Sequence, residues 1–208
     1  MKVIKIEDFS KTKCRILLED TLPIVLYKKD LRRYAIEEGK EISEQQLHIL
    51  IKEILPHRAK ARCMKLLQSR DYTENEMRNK LKGDGYPVQV INEAIEYLYG
   101  FHYLDDRRYV EAYYRTYRNR KSRKQILLEL QRKGITKDDI CIILNELISP
   151  EEESEELECI RGFLRKRKYS DNEADCTERE KTKAYLFRKG FEVNDIVFCM
   201  KNFEWKNL

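Results

Sequence analysis

Along most of this chain apolar residues recur at helical intervals, and they alternate with polar ones only near its start. Val3–Ile6, Cys14–Leu18 and Ile24–Tyr27 are short period-two runs that predict a β-hairpin or small three-stranded sheet. Asp30 is expected to open a short helix, Gly39 to interrupt it, and Ser43 to Gln46 to cap a further helix that stops near Leu55, ahead of Pro56. From about residue 57 onward only the helical period remains, so β structure should be confined to the first 30 residues.

One pattern then occurs three times. With Gly85, Gly134 and Gly190 as origins, a leucine stands four residues before each (Leu81, Leu130, Leu186) and an apolar or aromatic residue directly after (Tyr86, Ile135, Phe191). Apolar residues follow at +6 (Ile91, Ile140, Ile196), at +10 (Ile95, Leu144, Met200) and at +13 (Leu98, Leu147, Phe203), which is one face of a helix. Each glycine suits the left-handed conformation that ends a preceding helix. The starts of those preceding helices are marked by Thr73 with Glu76, by Ser122, and by Thr177 with Glu180. A first helix comes before each: about 59–69, 106–120 and 154–168. The glycines are 49 and 56 residues apart, the extra length including the polar stretch 172–177. The expected fold is therefore mainly α: three tandem three-helix, helix-turn-helix-like repeats in an elongated array (57–104, 105–149, 150–208), after an N-terminal segment (1–56) with small β structure.

Composition fits this picture. Of 208 residues 38% are charged, with only four prolines and seven glycines, which suits thin-cored modules with much solvated surface. No apolar run in the first residues is long enough for a signal peptide or membrane span, so the protein is expected in the cytoplasm, with no membrane partner, as a monomer. The six cysteines form no CxxC pair, and most read as small core residues, Cys141 and Cys199 among them. The three histidines are far apart, and neither a nucleophile-base arrangement nor a phosphate-binding glycine loop nor metal-ligand spacing is visible. No enzyme activity, metal or cofactor is expected. Asp105 and Asp106 read as helix capping rather than as a metal-binding carboxylate pair.

The net charge is only +5, but its distribution is uneven. Between Arg107 and Gly134 ten cations (Arg107, Arg108, Arg115, Arg118, Arg120, Lys121, Arg123, Lys124, Arg132 and Lys133) face only Glu111 and Glu129. Tyr109, Tyr113, Tyr114 and Tyr117 are interleaved with them, a combination suited to phosphates and bases or to an acidic protein groove. The plainer reading is a solvated basic helix whose tyrosines pack on their neighbours. Arg165, Lys166, Arg167 and Lys168 form a second cluster, which either extends the basic strip or, after the acids 151–156, merely complements the helix dipole.

Several strings resemble the RecX family. Cys63 to Leu81, with Leu66-Leu67, Arg70-Asp71-Tyr72-Thr73 and the leucine of a Leu81-Lys82 pair, is similar to its first repeat; Tyr103 to Tyr109 resembles the Tyr-Leu-Asp-Asp joint between its first two repeats. Leu128 to Ile135 is similar to its second repeat, and Leu31 to Ile42 to its amino-terminal segment; repeat three departs most. The resemblance implies a non-enzymatic regulator in DNA repair, recombination and the SOS response. It would bind the RecA filament and modulate, usually inhibit, its assembly, strand exchange and co-protease activity. The basic cations and tyrosines named above are then the candidate surface for RecA or DNA. A different class remains open: a direct binder of single- or double-stranded DNA that uses each post-glycine helix for recognition. Against it, those helices expose Gln89, Asn92, Glu93 and Glu96 in repeat one and Asp138, Asp139 and Glu146 in repeat two.

Overall fold

The computed structural model describes residues 1–19, 23–147, 153–171 and 174–203. They divide into two compact units, 1–105 and 106–208.

The first unit opens with an antiparallel meander of β1 (Val3–Asp8), β2 (Lys13–Leu18) and β3 (Ile24–Tyr27), in which Ile16 pairs with both Ile6 and Ile24. Alternation buries Cys14, Ile16 and Leu18 on one face, as period two requires. A short helix α1 (Lys28–Arg33) follows directly. Its cap position is held by Tyr27, not by Asp30. Asp30 instead lies buried in the first turn, where Arg58 neutralises it at 2.9 Å. A lone carboxylate at that depth would be costly, so the partner, twenty-eight residues on, decides its role.

Helix α2 (Glu44–Ile49) starts at the expected capping box, Ser43 Oγ accepting from Gln46 N at 3.1 Å. It does not stop ahead of Pro56. A π-helical turn, Leu50–Ile54, leads straight into α3 (Leu55–Leu67), with Pro56 in the first turn of the new α segment. The wide turn resets the ladder just before the proline, so the missing N–H falls where a helix start tolerates it. Helices α4 (Glu74–Gly83) and α5 (Val88–Gly100) complete the first repeat, with Thr73 and Glu76 forming the predicted capping box.

One core runs through this unit, from Val3 and Ile16 of the sheet through Leu50 and Leu55 to Met77, Leu81, Ile95, Leu98 and Leu104. The segment 1–56 and the first repeat thus share a single apolar interior. They approach closely at Gly85, whose φ is +85° and whose missing Cβ would stand 2.3 Å from Val25 Cγ2 on β3.

Nearby, Asp84 closes the end of α4. It receives Arg62 Nε at 2.7 Å and Lys13 Nζ at 3.1 Å, and the Lys13 ammonium also donates to the Asp84 carbonyl at 3.2 Å. Burial pushes this carboxyl up, but the two cationic donors outweigh it and hold it below its ordinary value of 3.8. A carboxylate so depressed adds stability above its unfolded pKa and loses it as pH falls through the lower folded one. Asp84→Asn should therefore lower the melting temperature at pH 7, and the gap should close on acidification below about pH 4. A gap that does not narrow as pH falls below about 4 would show that Asp84 acts through something other than its charge.

The second unit holds α6 (Asp106–Tyr117), α7 (Arg123–Arg132), α8 (Lys137–Leu147), α9 (Glu153–Lys166), α10 (Cys176–Arg188) and α11 (Val193–Lys201). With the β-meander of the first unit, the chain is mainly helical with a small three-stranded sheet at its start. Helix α10 begins at Cys176, and its cap lies two residues before the predicted Thr177. Asp175 takes that place, accepting from Glu178 N at 2.6 Å, because an aspartate there caps at least as well and leaves Thr177 in the first turn. Of the 172–177 stretch, residues 172 and 173 lie outside the described residues, as do 148–152, which include the expected boundary between repeats two and three and the start of the acidic run.

All twelve positions from −4 to +10 around the three glycines are buried, Leu81, Leu130 and Leu186 completely, and the +13 residues Leu147 and Phe203 are half-buried beside them. Gly134 and Gly190 have φ of +91° and +89°, as left-handed helix ends require. Repeats two and three keep separate cores, built around Val110, Tyr114, Ile126 and Leu130 in one and Ile160, Leu164, Tyr169 and Leu186 in the other. They meet at Ser122. Its Oγ caps α7 by accepting from Gln125 N at 3.2 Å and donates to the Lys189 carbonyl at 2.7 Å.

All six cysteines are free thiols; four are fully buried, Cys141 is half-buried, and Cys176 is exposed at the start of α10. No helix among the described residues is long and apolar enough to cross a membrane.

Candidate functional site

Helices α6 and α7 carry the basic cluster of repeat two, and the structure sorts its members by what already holds them. Arg107 is tied to Glu111 and to Glu146 of α8, and Arg115 leans on Glu111 at 3.6 Å. Arg123 reaches Glu156 of α9 at 3.3 Å and donates to it through its backbone N–H at 3.1 Å. Burial lifts the Glu156 carboxyl above its ordinary value, and Arg123 offsets part of that rise. Arg108 is exposed in the first turn of α6, and Arg118 is half-buried just after its end.

The tyrosines do not form an open stacking platform. Tyr114 is 2% exposed and belongs to the core of repeat two, which removes it from the candidate surface. An α-helix turns position 114 inward beside Val110, while 109, 113 and 117 share the neighbouring face at four-residue spacing. Those three rings are half-buried in a ladder, with centroids 6.2 Å apart for Tyr109 and Tyr113 and 4.5 Å for Tyr113 and Tyr117. Lys121 lies over Tyr117 at 4.0 Å, and Lys133 over Tyr109 at 5.4 Å. Tyr113 donates its hydroxyl to Glu129, which also receives Lys121. Burial and the adjacent carboxylate push the Tyr113 phenol well up, so it stays a donor. The ladder is a ridge of rings already roofed by ammonium groups, which suits contact with an acidic surface more than base stacking.

What remains outward is a single row. Arg120, Lys124, Leu128 and Arg132 recur at four-residue spacing through the loop and along α7. Leu128 is 46% exposed, and Arg120, Lys124 and Arg132 are exposed with no ion-pair partner among the described residues. Cations around an exposed leucine give this face a positive potential with an apolar centre, which is complementary to an acidic surface. Sequence reasoning found the three cations but passed over Leu128, whose signal was an apolar residue on the outward side of an otherwise amphipathic helix.

The second cluster is engaged within its own repeat. Arg165 joins Arg161 on Glu158, Arg167 covers the Tyr185 ring at 4.7 Å, and Lys166 lies 6.0 Å from Phe163. Lys168 is exposed with a φ of +53°. Just ahead of α6, Asp105 stands in the cap position, and no group of acidic, histidine or cysteine side chains with metal-holding geometry occurs among the described residues.

The post-glycine helices offer little to a DNA groove. In α5, Glu93 is bound to Lys60 and Asn92 to Arg78; in α8, Glu146 is bound to Arg107 and Asp139 to Thr136.

A β-meander followed by glycine-punctuated three-helix modules, with cations gathered on α6 and α7, places the chain among helical-repeat proteins. Family comparison makes this specific: residues 59–98 match the first three-helix domain of RecX and residues 105–141 the second. Regulatory protein RecX of Caldanaerobacter subterraneus subsp. tengcongensis is 33% identical over 162 residues, covering 77% of this chain and 78% of that one. Its counterpart in Bacillus velezensis is 32% identical over 180 residues, covering 85% and 67%. A crystal structure of regulatory protein RecX superposes with a TM-score of 0.64 at 25% identity, covering 97% of this chain and 99% of that chain. The chain belongs to the RecX family.

Proposed function

We propose that this protein acts in the cytoplasm as a non-enzymatic regulator of RecA, binding the RecA nucleoprotein filament and restraining its assembly and activity. The observation that carries this reading is the outward set of Arg120, in the loop before α7, with Lys124, Leu128 and Arg132 on α7: cations with no ion-pair partner among the described residues around an exposed leucine. A repeat array presents an extended face rather than a pocket, and an extended face suits a polymeric partner. Membership of the RecX family supports the regulatory role. Recognition of duplex DNA by the post-glycine helices is the weaker alternative, because their outward residues are acidic, neutral or already bonded. Titrating the protein into a RecA DNA-dependent ATPase assay tests the reading: turnover should fall at or below stoichiometric amounts, and unchanged turnover with folded protein in excess would refute it.

A further inference from the structure

The first unit has a cationic groove of its own. Two adjoining clefts, each of about 400 Å³, share Thr12, Tyr27 and Arg58. One is floored by the 9–13 turn and by α3, the other by α1. Tyr27, at the end of β3, is the ridge between them, with Lys13 Nζ 5.3 Å and Arg58 Cζ 5.0 Å from its ring centre.

The charges of the groove can be followed one by one. Lys13 and Arg62 share Asp84, Arg58 is matched by Asp30, and Lys28 by Asp8 at 2.7 Å. Lys11, Lys29, Arg32 and Lys65 also line it, all exposed and without an ion-pair partner among the described residues. The walls therefore keep a clear positive excess after every internal pair is formed. Asp30 gives one oxygen to Arg58, and its second is buried with no hydrogen-bond partner. That unsatisfied acceptor is a standing cost, borne where it fixes Arg58 in the wall of both clefts.

The polar lining adds donors. Ser10 Oγ accepts from Thr12 N at 3.4 Å and Lys13 N at 3.2 Å, which leaves its hydroxyl hydrogen to give away; Thr12 adds a second hydroxyl. Ammonium, guanidinium and hydroxyl donors along a groove longer than one anion are the means by which proteins hold a chain of phosphates. The half-buried Tyr27 ring, with the Arg58 guanidinium 5.0 Å from its centre, adds an aromatic surface that a base can use and a carboxylate cannot.

We infer that this groove, between the 9–13 turn, α1 and α3, binds a single strand of nucleic acid through its phosphodiester backbone. It is separate in sequence and in structural unit from the α7 row, and it needs no RecA.

The test is fluorescence anisotropy of a labelled oligothymidylate with the full chain and no RecA. Wild-type protein should bind, with log affinity falling against log salt by about 0.7 for each phosphate neutralised. The variant K11E/K29E/R32E/K65E should bind at least tenfold more weakly with a shallower salt dependence, while R120E/K124E/R132E keeps most of the affinity. The glutamine version of the four changes, checked by circular dichroism, should show an intermediate loss in a folded chain. An iodouridine-substituted strand should photocrosslink to Tyr27 or Phe9. The inference is overturned if the fourfold variants bind oligothymidylate as wild type does, if crosslinks fall only in repeat two, or if polyglutamate of equal charge binds as tightly as the oligonucleotide.

Discussion

Gly85→Ala should destabilise the first unit by about 2–5 kcal/mol, the largest effect expected of any single added methyl group in this chain. Two costs add. A non-glycine residue at φ +85° carries about 1–2 kcal/mol of backbone strain, and a Cβ placed 2.3 Å from Val25 Cγ2 overpacks the junction by about 1–3 kcal/mol more. Rotating Val25 does not relieve the clash, because its own Cβ would lie only 2.8 Å away. Gly39 supplies the control. Its φ is +81°, but nothing lies within 4 Å of an added Cβ, so Gly39→Ala should show the backbone cost alone. Urea unfolding of both variants, followed by far-UV circular dichroism, separates the two contributions. Equal midpoints would mean that β3 and the α4 turn yield to each other more readily than this packing allows.

The second large effect concerns the α7 row. R120E/K124E/R132E should weaken binding to RecA filaments at least tenfold, about 1.4 kcal/mol, while each change alters stability by only about 0.5 kcal/mol. These three side chains form no ion pair among the described residues, and the one carboxylate that feels Arg132, Glu129, keeps Lys121, so reversing them removes attraction without stranding an anion. Lys121 and Arg123 behave differently. Reversing either would leave Glu129 or the half-buried Glu156 facing another carboxylate, and the fold would suffer along with binding. Leu128→Asp, in the middle of the row, should impair binding as well with little change in melting. A triple variant that melts normally and still suppresses RecA ATPase at the wild-type concentration would place the interface elsewhere, with Arg165 to Lys168 next in line.

The modules were legible in the sequence because their signals are local. A leucine four residues before a glycine, an apolar residue after it, and three more on one helix face lie within eighteen positions, and all of them pack inward. Capping was legible at Ser43, Thr73 and Ser122 but not at α1, where Tyr27 rather than Asp30 holds the cap position; at α10, Asp175 and Thr177 competed and the earlier residue took the cap. The helix through Pro56 was not legible, since a π turn has no sequence signature of its own. The basic surface was legible only as a census. Which cations are already paired depends on Glu146, thirty-nine residues from Arg107, and on Glu156, thirty-three from Arg123. The inward turn of Tyr114 is a matter of helix phase beside three outward neighbours. The groove of the first unit was passed over for the same reason: its cations come from 11–32 and 58–65, neither dense enough alone to attract notice.

Ser122 links two modules through one oxygen. Its lone pairs anchor the first turn of α7, and its hydrogen holds the last carbonyl of α10, with Gly190 close enough that an added Cβ would lie 2.7 Å from that oxygen. Fraying at the end of α10 therefore loosens the start of α7, where Arg120 and Lys124 flank the serine. Arg123, beside the serine, adds a second tie to repeat three through Glu156 of α9, although the two cores are separate. The seam between these two repeats is thus held by polar groups rather than by shared hydrocarbon.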